Sequence, residues 1–377
     1  MMKQMIKYFL LLIILSGFPI LAKDSPENIA KYEAFRKAIP LGGNFKPKKE
    51  EGIFVASAHG LHIVVSRDDG KTWKKVFFAY PGGDHGYWSN NTCAYTEGVF
   101  AVPAGWGAPG TILASDDGEN WRHLSASNKD AMKAPTVFSF VGVKGAFVFP
   151  LKSTFDFGKS WHSTSKWGKA TLDENGKRPS FHHELVAYGD YKGGRTLVAL
   201  TGFPWMYSDD LGKSWTVFTP KGLENINSKG HAKSLEYING AFIFIKGNGE
   251  SAYRSLDGGI TWETHPLGVS GYLGVGFDNI SVVGDEVWVT GKNNAKSSKD
   301  GRVWKDLPPN IPQGKLAQSD KGTLISVNRN RHSILRSTDG KKWEEVYTFT
   351  PQNPKAKRKG FKNVVFGLAN KIKKAQD

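Results

Sequence analysis

A short string recurs seven times along this chain and fixes its architecture more tightly than any other feature. Ser-Arg-Asp-Asp-Gly-Lys-Thr-Trp at 66–73 returns as Ser-Asp-Asp-Gly-Glu-Asn-Trp at 115–121, Thr-Phe-Asp-Phe-Gly-Lys-Ser-Trp at 154–161 and Ser-Asp-Asp-Leu-Gly-Lys-Ser-Trp at 208–215. It appears again as Ser-Leu-Asp-Gly-Gly-Ile-Thr-Trp at 255–262, Ser-Lys-Asp-Gly-Arg-Val-Trp at 298–304 and Ser-Thr-Asp-Gly-Lys-Lys-Trp at 337–343. The closing tryptophans, Trp73, Trp121, Trp161, Trp215, Trp262, Trp304 and Trp343, are 48, 40, 54, 47, 42 and 39 residues apart. A period of about 45 residues means one supersecondary unit per repeat.

What precedes each string also repeats: a β-prone run, a Gly-containing turn, a second run, a variable loop, and a third run leading into the Ser. In the second unit these are residues 92–96, Glu97-Gly98, 99–103, the loop at 104–110, and 111–114. The string then reads as a hairpin turn. Its Asp accepts backbone hydrogen bonds, its Gly takes a positive φ, and its Trp opens a fourth strand with the ring between neighbouring units. Four antiparallel strands per unit, seven times over, predict an all-β fold, a seven-bladed β-propeller. The 43 Gly and 18 Pro agree with many short elements and argue against a helical bundle.

The ends of the chain bear on closure. The first unit starts abruptly at 52–57, as a second strand with no inner strand before it, and a β-prone run at 362–366 follows the seventh string. The C-terminal run is therefore expected to complete blade one, with a turn at 367–370, leaving no open sheet edge in the ring. Lys3 and Lys7, an apolar run at 8–15, and Gly17, Pro19 and Ala22 form a signal-peptide layout over 1–22, with cleavage near Ala22. No Cys follows that run, which argues against a lipoprotein. Residues 23–50 would be an N-terminal extension with a short helix at 27–38, and 51–377 the propeller. The mature protein is expected to be secreted or periplasmic, monomeric, and without a membrane span.

This pattern resembles the Asp-box (BNR) repeat family, which includes sialidases, sortilin-type domains and photosystem assembly factors. The resemblance covers residues 51–370. Boxes one, three, four and five keep the Ser/Thr-x-Asp-x-Gly-x-Ser/Thr-Trp spacing, while boxes two, six and seven are one residue shorter. It implies the fold, because such boxes are structural and occur in enzymes and scaffolds alike.

Function has to lie elsewhere. In a four-stranded antiparallel blade the 1–2 and 3–4 turns share one end, and the boxes are 3–4 turns. The longer and chemically varied connections are 2–3 and 4–1, which converge on the opposite end. Seven of the ten histidines, His59, His62, His85, His182, His183, His231 and His332, fall on or beside them. Trp88 and Trp106 supply aromatic planes, and Arg329 and Arg331 add guanidinium groups. Arg195 and Tyr237 are further candidates for the channel, although both could lie on strands facing away. Arg pairs with carboxylate or sulfate, aromatic rings stack on sugars, and His moves protons.

These residue types, with a formal charge of +16, point to an anionic glycan or polysaccharide. Export makes nucleic acid an improbable partner. The favoured chemistry is lyase-type β-elimination, with His183 or His231 as general base, His85 as acid and Arg331 as the carboxylate clamp, and His59, Trp88, Trp106, Arg195, Tyr237, Arg329 and His332 in binding. A hydrolase would need two opposed carboxylates, and Asp84, Glu184, Glu224 and Glu250 are the main acids available.

The alternatives are a non-catalytic propeller of the assembly-factor or lectin kind, and a sialidase-like hydrolase. His59, His62 and His332 could instead fill the channel as satisfied core groups. No metal and no cofactor is expected: one cysteine, Cys93, and no paired ligand spacing give no metal site, and no Gly-rich phosphate loop is present. The basic run at 355–359 reads as a solvated loop, which could also extend a polyanion-binding surface.

Overall fold

The computed structural model describes residues 26–58, 61–77, 93–104, 111–132, 139–163, 184–200, 204–224, 232–246, 249–270, 279–328, 332–350 and 360–372. The segment taken as a signal peptide lies outside them. The chain divides into two compact units, Met1–Ala38 and Ile39–Asp377. In the first, a helix runs over Pro26–Ala38, as its sequence leads one to expect. No helix among the described residues is long and apolar enough to cross a membrane.

The second unit is seven four-stranded antiparallel sheets, each ordered from inner to outer strand in chain order, except the one that closes the ring. There the C-terminal strand Phe361–Ala369 takes the inner position beside Glu51–Ala58, followed by His62–Ser66 and Lys74–Phe77. Closure by the C-terminus is thus as expected, with one correction of extent. The strand continues through 367–369 instead of turning there, because Glu51, Gly52 and Ile53 pair with Ala369, Leu368 and Gly367.

The fifth box shows what the repeated string does. The Ser255 hydroxyl donates to Asp257 Oδ1 at 2.8 Å and accepts from the Gly259 N–H at 2.8 Å. Asp257 also takes the N–H and hydroxyl of Thr261, at 2.9 and 2.7 Å, and the Trp262 indole closes on the Gly259 carbonyl at 2.8 Å. Burial alone would raise the Asp257 carboxyl; the bonds from Thr261 and Ser255 outweigh it and hold the group below the usual carboxylate range. In the longer boxes the extra residue, Asp69, Phe157, Leu211 or Gly258, sits in the left-handed region with φ of 54–79°. The one-residue difference in spacing is therefore an insertion absorbed by a single turn residue.

Each box also keys into the blade before it. A β-carbon at Gly118 would lie 2.5 Å from Ile53 Cδ1, and one at Gly259 would lie 2.6 Å from Leu197 Cδ2. The core between blades is aromatic: Trp205 of blade four is 1% exposed and packs edge-on against Phe244 and Trp262 of blade five.

Candidate functional site

At the box end, turns and boxes of adjacent blades meet directly: Asn239, in the 1–2 turn of blade five, donates to the Asp285 and Lys299 carbonyls of blade six. Arginines bridge blades there by donating to box carbonyls of the next blade. Arg254 Nε reaches Asp300 O at 2.7 Å, Arg336 Nε reaches Asp69 O at 2.9 Å, and Arg67 bonds Asp117 O.

Arg195 belongs to this set, which corrects its expected place in the channel. It opens the second strand of blade four (Arg195–Ala199), next to the 1–2 turn, and is 5% exposed. Its guanidinium grips Asp209 with two bonds of 2.6 and 2.7 Å, reaches Gly258 O at 3.3 Å, and lies over the Tyr207 ring at 3.7 Å. Tyr237 is likewise at the box end, beside the Asn239-Gly240 turn, with its ring against Gly189 of blade four. Burial, with Asp190 and Tyr188 nearby, pushes its hydroxyl above the ordinary value.

At the opposite end, His332 and His62 do not fill the channel. Both sit at the starts of third strands, two strands out from the axis, at the seam between blades seven and one. Phe349 lies between them, 4.3 Å from the His62 ring and 5.1 Å from that of His332. His62 Nε2 and the Tyr347 hydroxyl share a 3.1 Å hydrogen bond. Burial, with Lys75 adding repulsion, lowers the imidazole to about 4, so it is neutral at physiological pH. Glu184 is buried, and Glu224 accepts the Gly222 N–H at 2.8 Å. His59, His85, Trp88, Trp106, His183, His231, Arg329 and Arg331 lie outside the described residues. Among the described residues no cluster of three or more His, Cys, Asp or Glu side chains could hold a metal.

The axis itself is a cavity of about 450 Å³ lined by inner strands of all seven blades. Sequence reasoning missed its charged pair. Lys315, first residue of the inner strand of blade seven (Lys315–Gln318), reaches past blade six to Glu236 of blade five. Its Nζ is 2.8 Å from Glu236 Oε1 and 2.8 Å from Ile280 O. The available signal was a charge set beside apolar residues in an inner strand, in Leu235-Glu236-Tyr237 and in Lys315-Leu316-Ala317.

Seven boxes, each closing a 3–4 turn in a ring of seven blades, share the hydrogen bond from the opening Ser or Thr hydroxyl to the box Asp. The fold is a propeller of Asp-box (BNR) repeats. The BNR/Asp-box repeat model matches residues 253–264, the fifth box and its flanks. No curated protein sequence matches the chain. Among solved structures, the propeller is similar to a streptogramin B lyase at 12% identity over 71% of this chain and 86% of that one, TM-score 0.46. A chain of a nidogen/laminin complex is 11% identical over 84% and 99%, TM-score 0.45. YCF48 bound to a D1 peptide is 14% identical over 89% and 100%, TM-score 0.39.

Proposed function

We propose that this propeller binds an anionic polysaccharide at the end opposite its boxes. The observation that carries the reading is a charge asymmetry. The segments outside the described residues that join strands at that end contain twelve Lys/Arg against four Asp/Glu, together with Trp88, Trp106 and Trp167. The rest of the ring is near balance, and its box-end arginines are bound to acids of their own or the next blade and to carbonyls of the next. An excess of positive charge in segments that also carry tryptophan suits a polymer of uronate or sulfated sugars, whose counterions such charge displaces and on whose sugar faces such rings stack.

A second reading, β-elimination on the same polymer, is favoured by one observation: His85, His183, His231 and Arg331 come from those same connections in four different blades. Arg331 would neutralise the uronate carboxylate while a neutral imidazole removes the C5 proton and an imidazolium protonates the leaving oxygen. The test is titration of pectate, alginate, hyaluronan and heparin into the purified protein by calorimetry, with ultraviolet absorbance followed for an unsaturated product. Binding without product supports the scaffold reading, product supports the lyase, and neither at low salt contradicts both.

A further inference from the structure

Among the described residues six large apolar side chains are exposed, Phe155, Leu256, Val282, Val303, Leu368 and Ile372, and all six stand at the box end. Phe155, Leu256 and Val303 belong to boxes three, five and six. Val282 and Leu368 are next to last in the inner strands of blades six and one, which run toward that end, and Ile372 follows.

In five boxes the residue before the closing Trp is Thr72, Asn120, Ser160, Ser214 or Thr261, and its side chain donates to the box Asp at 2.6–2.7 Å. At that position in box six, Val303 keeps only the backbone bond from its N–H to Asp300 Oδ1, at 3.1 Å, and its isopropyl group is 64% exposed. The turn thus gives up a hydrogen bond without gaining burial, an exchange that folding alone does not favour. Leu256, in the box of the neighbouring blade, is 55% exposed. Other boxes carry Arg67, Asp116, Asp209, Lys299 or Thr338 at its position.

Cations stand among these side chains. Lys71, Lys159, Lys213, Arg302, Lys341 and Lys342 extend from box tips, exposed and in no ion pair, while the box carboxylates are bonded into their turns. Lys213 Nζ lies 5.0 Å from the centre of the Phe155 ring, across the seam between blades three and four. Every box is the 3–4 turn of its blade, so the ring sets these tips at one level. Apolar groups spaced singly around such a plane do not form the contiguous anchor cluster of a protein interface. A bilayer surface asks for no such cluster, because each side chain enters the headgroup region separately and each nearby cation meets lipid phosphate.

We infer that the box end is a docking face for an anionic lipid bilayer. Val303, Leu256 and Phe155 enter the interface, and the cations at the box tips lie against its phosphates. The face is separate from the polysaccharide end, which docking leaves turned away from the lipid.

The test is cosedimentation of the full chain with vesicles of phosphatidylglycerol and phosphatidylcholine in equal parts, and with vesicles of phosphatidylcholine alone. The mixed vesicles should bind at least tenfold more tightly. Val303→Thr/Leu256→Ser, in which the threonine returns a hydroxyl to Asp300, should weaken that binding at least tenfold with the fold intact by circular dichroism. Lys71→Ser/Lys341→Ser/Lys342→Ser should do the same. To locate the contact, a nitroxide is attached at Val303→Cys or at Glu345→Cys, on the exposed outer strand of blade seven, since Cys93 is buried. Mixed vesicles should shield the first label from a water-soluble relaxing agent and leave the second unchanged. If a variant fails to fold, the labels and the other variant decide. The inference is overturned by no binding to mixed vesicles, by a label at 303 shielded no more than that at 345, or by unchanged affinity in the folded variants. Shielding at 303 without lipid, which marks a second copy of the chain, also overturns it.

Discussion

Gly301 of the sixth box lies directly on Ile243 of blade five: a β-carbon at position 301 would stand 1.9 Å from Ile243 Cδ1. The same relation holds between Gly70 and Ile325 and between Gly212 and Val148, at 2.5 and 2.9 Å. The box glycine therefore answers two demands, a positive φ and a seat on the preceding blade, and the repeat is a ring-closing device.

Gly301→Ala should destabilise the protein by about 2–4 kcal/mol, since the side chain is strained at φ 75° and overpacks Ile243. Gly240→Ala, at φ 87° with nothing within 4 Å of the added atom, should cost only about 1 kcal/mol. Denaturant titration of both variants measures the difference.

Closure of blade one should be indispensable. Beyond the strand Phe361–Ala369, Asn370 locks onto the N-terminal segment, donating to Lys46 O at 3.0 Å and accepting from the Lys48 N–H at 2.5 Å. Deleting residues 360–377 exposes the second strand of blade one, and the product should be insoluble or unfolded by size exclusion and circular dichroism. Unchanged melting of the truncated chain would refute this role.

Arg195→Met removes the grip on Asp209 and the bridge to Gly258 O while keeping the stem. Stability should fall by about 1–3 kcal/mol by thermal or denaturant unfolding, with polysaccharide affinity changed less than twofold. A large loss of affinity without loss of stability would return Arg195 to the binding surface.

The seam histidine gives a pH signature. His62 is lowered from 6.5 to about 4 in the folded state, so its neutral form is favoured there. Its contribution is fully present above pH 6.5 and is lost as pH falls toward 4, amounting to about 3 kcal/mol at the bottom of that window. Box carboxyls such as Asp257, held below their usual range, lose their contribution at lower pH still. The difference in unfolding free energy between wild type and His62→Gln, followed from pH 7 to 4, isolates the imidazole. A constant difference would show that His62 is not the group responsible.

The boxes and the displaced C-terminal strand were legible because each repeats or completes a local pattern that hydrogen bonding enforces within a few residues. Arg195 and Tyr237 were misplaced because a strand residue's type does not say which end of the blade it occupies. For Arg195 the answer lies in its position after the 1–2 turn, and for Tyr237 in its position just before one. The Lys315–Glu236 pair was invisible because it joins blades five and seven across 79 residues, and only closure of the ring brings them together. The course of the segment before blade one was likewise unreadable: the His123 N–H donates to Pro40 O and the Gly42 N–H to Ser125 O at the outer edge of blade two, contacts set by tertiary packing alone.

The central claim, that anionic polysaccharide binds opposite the boxes, is tested most directly by charge removal at each end. Calorimetric affinity for one bound polymer is compared between wild type, an Arg329→Ser/Arg331→Ser variant, and a box-end control, Lys71→Ser/Lys341→Ser/Lys342→Ser, whose three lysines are exposed. The account predicts at least tenfold weaker binding with reduced salt dependence for the first variant and less than a twofold change for the control. Equal losses in both, or a loss confined to the box-end variant, would contradict it.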